Sequence, residues 1–157
     1  MSILKKVGIV ALGGLLVAQF FQPEQNLGDY ESVKGFLAET RANDEVETIL
    51  KKACFDCHSA KTRYPWYSKI TPVNYWMAHH VEEGREHLDF SNWANYSLKK
   101  KEHKMDEVYE EVEEKHMPLK SYTITHGDAK LTDEEIKTLV DWGKAAQAEY
   151  KVILEKE

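Results

Sequence analysis

Two cysteines and a histidine, Cys54, Cys57 and His58, have the types and spacing to do chemistry in this chain. They follow the pattern C-x-x-C-H and use both cysteines of the 157 residues. This pattern is the attachment motif of c-type haem, in which two thiols form thioethers with the vinyl groups and the adjacent imidazole ligates the iron from one face. The motif therefore predicts one covalently bound haem c, with His58 as an iron ligand.

Three other interpretations of these residues remain open from spacing alone. A thioredoxin-like redox pair would need a βαβ setting, and no strand-rich pattern surrounds Cys54. A structural zinc site would need four ligands, and the histidines include no pair at zinc-finger spacing, since His79 and His80 are adjacent. A disulfide between the cysteines would leave His58 without a role. Haem attachment accounts for all three residues of the motif.

The first 22 residues have the features of a signal peptide or signal anchor. Lys5 and Lys6 form a positive n-region before an apolar run over residues 7–21. No small-x-small cleavage pair stands at the end of this run, which favours an uncleaved anchor close to the ~20 residues of a bilayer span. With the lysines inside, the rest of the chain faces outward. The segment therefore predicts a bacterial periplasmic protein, tethered to the inner membrane by residues 3–21.

The charge distribution bears on the partners of the exported part. Residues 24–157 hold all 27 acidic residues but only 19 of the 21 basic ones, a formal charge of −8. Such a surface disfavours nucleic acid, which is a polyanion. It serves solubility, or it steers the protein toward a basic patch on a redox partner protein.

Capping residues and apolar periodicity predict an all-α domain over residues 43–157, preceded by a linker over residues 23–42. Apolar residues recur at helical spacing after each of four starting points. The predicted helices begin at the N-cap Asn43, at Thr71 as cap with Pro72 in the first turn, at about Lys99, and at the Thr132–Glu135 capping box. The first helix leads directly into Cys54. The arrangement predicts about four helices packed around a prosthetic group.

A helix that ends at the attachment motif resembles class I cytochromes c, and the resemblance extends to the sixth iron ligand. In that class the distal methionine lies in a loop between the middle and last helices, often before proline. This chain has Met117 before Pro118, at the start of a predicted non-helical stretch that ends at Lys130. The resemblance implies a cytochrome c-like bundle with Met117 as the second axial ligand.

Three histidines remain alternatives to methionine at this position. His80 lies on the apolar stripe of the second predicted helix and ranks ahead of His116 and His126. A histidine ligand would lower the reduction potential relative to methionine. Met77 and Met105 lie at helical spacing on apolar faces, where packing is the simpler interpretation.

The whole-chain pattern resembles the haem-binding domain family of small exported monohaem proteins. The resemblance covers most of residues 20–143. Its motifs are Gln19-Phe20-Phe21 with Pro23, Cys54-Phe55-Asp56-Cys57-His58-Ser59, Tyr64-Pro65-Trp66-Tyr67, His80-Val81 with Gly84-Arg85, Phe90-Ser91-Asn92-Trp93, and Met117-Pro118-Leu119 with Tyr122 and His126. Leu119 departs from the family, which often has a second proline there. The resemblance implies haem binding and electron transfer.

Several further residues are candidates for the wall of a haem pocket. Large amphipathic side chains can contact a porphyrin or bind a propionate, although they also fill ordinary cores. Arginine can pair with a propionate through its planar fork, or lie free on the surface. The candidates are Trp66, Tyr67, Trp76, Trp93 and His80, with Arg63 and Arg85 as propionate partners.

The sequence favours an electron carrier, not an enzyme, that passes single electrons between partner proteins. The main alternative is a haem-based sensor or small haem enzyme with an open or displaceable sixth position, in which His80 or His126 would be the distal hydrogen-bond donor. A haem-bearing subunit of a larger complex is the third possibility. In each case a cleft bounded by His58 and Met117 is expected.

Overall fold

The computed structural model describes residues 2–156, and the all-α prediction is confirmed for them. Within this range there are eight α-helices and no strand, only one antiparallel bridge between Leu27 and Lys61. The helices are α1 (Ile3–Ala18), α2 (Lys34–Glu39), α3 (Asp44–Ala53), α4 (Phe55–His58), α5 (Val73–His87), α6 (Leu98–Glu113), α7 (Lys120–Thr123) and α8 (Asp133–Leu154). Short 3-10 turns cover Tyr30–Val33, Trp66–Lys69, Phe90–Asn95 and Gly127–Ala129.

The helix starts predicted at Asn43 and Thr132 are confirmed. The Asn43 side chain accepts a hydrogen bond from the backbone N–H of Val46, and Thr132 forms a complete capping box with Glu135. The predicted cap at Thr71 is wrong. Helix α5 begins after Pro72, and the Thr71 hydroxyl donates to the carbonyl of Ala18 instead. The Thr71 oxygen also accepts from the Asn74 side-chain amide, so its hydrogen bonds go to Ala18 and Asn74 and not to the backbone of the first helical turn.

The largest fully buried side chains of the core are aromatic. Phe36, Phe55, Phe90 and Trp93 are almost completely buried, and the Phe36 ring lies 4.3 Å from the Phe90 ring and 4.9 Å from the Trp93 ring. Trp93 therefore belongs to the core and not to a pocket wall. Met105 is fully buried, in agreement with its interpretation as a packing residue.

The N-terminal segment forms α1, which has no buried residue. Among residues 2–156, no helix combines the length and the apolar character needed to cross a membrane. The following residues lie against the domain: the Asn26 side-chain amide donates to the carbonyl of Ser59 and to Thr62 Oγ1, and Gly28 N–H donates to the carbonyl of Ala60. The predicted linker thus contacts the chain just after the C-x-x-C-H motif.

Candidate functional site

A cavity of about 480 Å³ lies beside α4 and contains the C-x-x-C-H motif in its wall. Its size is within the range of small-molecule and cofactor sites, about 300–1,000 Å³. Seven of the nine predicted site residues line it: Cys54, Cys57, His58, Tyr67, Trp76, His80 and Met117. Apolar side chains supply much of the remaining wall, among them Leu50, Val81, Leu88, Phe90, Val112 and Leu139.

The orientation of His58 is set by a hydrogen bond from its ring. Nδ1 lies 2.9 Å from the carbonyl oxygen of Leu88, and a carbonyl can only accept, so Nδ1 carries the proton. The lone pair of the neutral ring is then on Nε2. Burial lowers the pKa of His58, although backbone hydrogen bonds at Leu88 and Gly84 act in the opposite direction. The residue therefore has the tautomer and charge that an iron ligand needs.

The two cysteines are free thiols, not joined as a disulfide. Burial and the nearby Cys57 raise the pKa of Cys54 to about 12, and burial with the nearby Asp56 raises that of Cys57 to about 11. Both side chains are therefore protonated at neutral pH. A neutral thiol can be buried in an apolar wall at much lower cost than a thiolate.

Gly84 allows α5 to approach the motif closely. A β-carbon built on this residue would lie 2.8 Å from the Cys57 carbonyl oxygen and 3.0 Å from Cys57 Cβ. Such distances are shorter than van der Waals contact. The glycine in the predicted Gly84-Arg85 motif is therefore explained by the packing of α5 on α4.

Met117 reaches the cavity because of the way in which α6 ends. Lys115 has a left-handed backbone (φ 59°) and donates its N–H to the carbonyl of Val112, while His116 donates to that of Glu111. These two bonds form a Schellman motif, which reverses the chain after the helix. Met117 N–H also donates to the Glu111 carbonyl, at 3.0 Å. The chain then continues along the cavity, which is lined by Met117, Pro118 and Leu119.

The sequence predicted that the stretch from Pro118 to Lys130 is non-helical, and the structure shows that this is only partly right. The stretch contains the single-turn helix α7 and the 3-10 turn Gly127–Ala129. Leu119, at the start of α7, is 39% exposed and borders the cavity. Helix α7 has only four residues, which is too short to show the apolar periodicity that predicts a helix from the sequence.

A buried carboxylate connects the motif to α7. Asp56 accepts hydrogen bonds from the backbone N–H and the Nε of Arg63, and Tyr122 OH donates to its Oδ2 at 2.7 Å. Burial, followed by the hydrogen bond to Asp56, raises the pKa of Tyr122. The guanidinium of Arg63 lines the cavity, but this carboxylate already binds it. Sequence reasoning missed the cluster because Asp56 and Tyr122 are 66 residues apart.

The three alternative histidine ligands have different positions. His80 lines the cavity beside Trp76, and its Nδ1 is buried with no hydrogen-bond partner among the described residues. His126 also lines the cavity, stacked on Tyr122 with ring centroids 4.2 Å apart. His116 does not line the cavity, because its side chain is largely exposed and paired with glutamates.

Two predicted site residues, Trp66 and Arg85, do not line the cavity. Trp66 is 78% exposed, with its ring edge-on to Tyr67. Arg85 binds Asp89 through Nε and Nη2, so its guanidinium is already paired with a carboxylate. Met77, by contrast, lines the cavity although the sequence suggested a packing role. Arg85 lies in the last turn of α5 and Asp89 just beyond its end, and their i, i+4 spacing could have indicated the pair between them.

The donors in the wall fit a covalently held haem. Two neutral thiols, an imidazole with a free Nε2, and a thioether lie in one apolar cavity, and an unpartnered imidazole nitrogen of His80 is also present. Within residues 2–156, no group of three or more His, Cys, Asp or Glu side chains is arranged to hold a metal ion.

Comparison with known proteins gives one match. A family model described as a haem-binding domain matches residues 13–145, which extends from α1 to the middle of α8. No curated protein and no solved structure matches the chain.

Proposed function

The chain belongs to the haem-binding domain family, and from this premise we propose that it is an exported monohaem c-type cytochrome that carries single electrons. The observation that carries the proposal is the convergence of Cys54, Cys57, His58 and Met117 on one apolar cavity. When bound, haem would supply a one-electron iron couple. The protein would hold the group, exclude water and fix its ligands.

Covalent attachment would use both thiols. In each addition the sulfur bonds to one vinyl carbon and the thiol hydrogen is transferred to the other, so no electrons are gained or lost. Cys54 lies at the junction of α3 and α4, and Cys57 lies on α4. The two helices pack into the core through Leu50 and Phe55. The attachment points are therefore rigid.

His58 and Met117 are the proposed axial ligands. The Leu88 carbonyl holds the His58 ring by Nδ1–H, which increases the basicity of Nε2 and fixes its direction. Methionine as the second ligand would give a higher potential than histidine. A filled sixth position supports electron carriage instead of catalysis.

Acid–acetone extraction tests the covalent attachment. Protein from a cytochrome-maturing host should keep its colour, and the Cys54→Ser/Cys57→Ser variant should lose it to the solvent. Release of haem from the native chain would contradict covalent attachment while leaving haem binding intact.

Spectroscopy tests the sixth ligand, and the two cavity methionines provide a matched pair. The oxidised protein should show a weak near-red sulfur-to-iron band that disappears in Met117→Ala and persists in Met77→Ala. If the band is lost only in Met77→Ala and not in Met117→Ala, the sixth ligand is Met77 on α5.

A second candidate function is a haem sensor or small haem enzyme with an open sixth position. The observation that favours it is the buried, unpartnered Nδ1 of His80 in the cavity wall. Such a group could donate a hydrogen bond to a ligand on the iron. Rapid binding of carbon monoxide by the ferrous protein, together with an unchanged resting spectrum in Met117→Ala, would favour this function over electron carriage.

We further propose that residues 3–21 direct the chain to the outer side of the bacterial inner membrane. The support is the n-region lysines before an apolar run, together with an attachment motif matured in that compartment. Fractionation of cells, with alkaline phosphatase fused after residue 157 as a reporter of export, tests this location.

A further inference from the structure

The two longest stretches without an acidic residue are residues 1–23 and 57–81. Hydrogen bonds join the end of the first stretch to the middle of the second. Gln19 Oε1 accepts from Thr71 N–H at 2.9 Å, and Gln22 Oε1 accepts from Asn74 Nδ2 at 2.9 Å. Gln22 Nε2 also donates to the carbonyl of Lys69 at 3.4 Å. These bonds join the end of α1 to the start of α5. We call the exposed surface of residues 19–23 and 57–81 the acid-free face.

The side chains exposed on the acid-free face are mostly apolar and aromatic. Phe20 is 87% exposed and Trp66 is 78% exposed. The other large exposed side chains between Phe20 and Trp76 on this face are Phe21, Ile70, Tyr75 and Trp76 itself. The exposed Lys69 adds positive charge. A concentration of large exposed apolar side chains on a folded domain marks an interaction site.

The chemistry of this face fits a lipid–water interface better than ordinary solvent. Tyrosine and tryptophan prefer that interface because their rings are apolar and their tips are polar. Lysines attract anionic headgroups, and the same lipids repel the rest of the chain, which holds all 27 acidic residues. The face is also continuous with α1, none of whose residues is buried.

We propose that the acid-free face seats the folded domain on the surface of an anionic lipid bilayer. Tyr67 and Trp76 belong both to this face and to the cavity wall. The cavity is therefore held beside the membrane surface. This contact is made by the domain itself, in addition to any tether provided by the N-terminal segment.

Hydroxyl-radical footprinting of the full haem-loaded chain tests the contact. The chain is labelled free in buffer and bound to vesicles of equal parts phosphatidylglycerol and phosphatidylcholine. Labelling of Trp66 and Tyr75 should fall at least threefold on the vesicles, while that of Val152 and Ile153 at the far end of α8 stays unchanged. Equal labelling of Trp66 and Tyr75 in both states would overturn the proposal and leave the face to a protein partner.

A pair of matched double variants separates the domain contact from the effect of α1. Ile70→Glu/Tyr75→Glu places acid on the face, and Val152→Glu/Ile153→Glu places it at equally exposed positions on α8, all four side chains being 42–47% exposed. The first variant should need about tenfold more lipid for half-binding, whereas the second should bind like the native chain. An equal loss in both variants would show only bulk charge repulsion and would reject the proposal. The haem absorption spectrum checks that each variant is folded.

Discussion

The two parts of the cavity lining differ in how they are held. The motif wall, residues 54–58, lies between core elements, with Phe55 completely buried and Asp56 only 4% exposed. The loop wall, residues 117–126, contains a single helical turn with no buried residue, and Ile124 within it is 82% exposed. The first cannot move without disturbing the core. The second can shift at much lower cost, because little packed surface depends on it.

This difference separates two tasks that a haem site requires. Covalent attachment and the His58 ligand need a fixed geometry, and the motif wall provides it. The sixth position can then be filled, displaced or left open by movements of the loop wall alone. A partly buried hydrogen bond from Tyr122 to Asp56 joins the two walls. Electron carriage would therefore require a stable loop wall that keeps the sixth position filled. Ligand sensing would require a loop wall that can move away from it.

The strongest test of the motif wall is Gly84→Ala. The new methyl group would meet backbone and Cβ atoms of Cys57 at 2.8–3.2 Å, so α4 and α5 must separate. We expect a loss of about 2–3 kcal/mol in the free energy of unfolding, measured by urea denaturation, and a lower yield of covalent haem.

Gly35→Ala is the control for this substitution. It lies in α2 and has open space at the β-carbon position. It should be neutral or should stabilise the protein by up to about 1 kcal/mol. Equal effects at the two glycines would show that the close approach of α5 to the motif has no energetic importance.

Tyr122→Phe tests the connection between the walls. Removing the hydroxyl leaves Asp56 bound by Arg63 but loses the bond to α7, so the expected cost is about 1 kcal/mol. Amide hydrogen exchange should accelerate in residues 117–126 and stay unchanged in residues 44–58. Tyr109→Phe, which removes a bond to Asp106 on the surface of α6, should change neither segment. Faster exchange in both walls would mean that they form one unit.

The fold was predicted well where the signal is local. Asn43 and Thr132 each cap a helix through the backbone N–H three residues further on, so their positions follow from the sequence. Thr71 does not cap α5, because its hydroxyl accepts from the Asn74 side-chain amide and donates to the carbonyl of Ala18, 53 residues distant. No periodicity in the sequence reports such a contact.

The candidate site also has some features that local sequence patterns predict and others that they do not. The C-x-x-C-H spacing and Met117-Pro118 are local patterns, and the structure brings both to one cavity. The outward position of Trp66 and the pairing of Asp56 with Tyr122 depend on packing between distant segments. The motif wall was thus more predictable than the loop wall, because its geometry is encoded in adjacent residues.

Lys115→Gly tests whether the loop wall starts from a strained residue. A left-handed backbone costs a side-chain-bearing residue about 1–2 kcal/mol, and glycine avoids this cost. Because glycine gains more entropy on unfolding, we expect it to be about 0.5–1 kcal/mol more stable than Lys115→Ala. Both variants lose the ion pair with Asp133, so the comparison isolates the backbone. Equal melting temperatures of the two would contradict the strain.

Glu135→Gln tests the outer support of the motif wall, and its expected effect is the smallest. Burial tends to raise the pKa of Glu135, but bonds from Lys52 and the Thr132 backbone outweigh it and hold the pKa below the ordinary 4.5. A carboxylate with a lowered pKa in the folded state stabilises the protein above pH 4.5, and this contribution is lost as the pH falls through the folded-state value. At pH 7 the variant should therefore be less stable by about 0.5–1 kcal/mol, and the difference should shrink below pH 4.5. Glu134→Gln removes a charge from the same turn but no bond to α3, so it should have a smaller effect at pH 7. A difference from the native chain that is constant from pH 7 to pH 3 would show that the ion pair between α3 and α8 does not stabilise the helix that leads into Cys54.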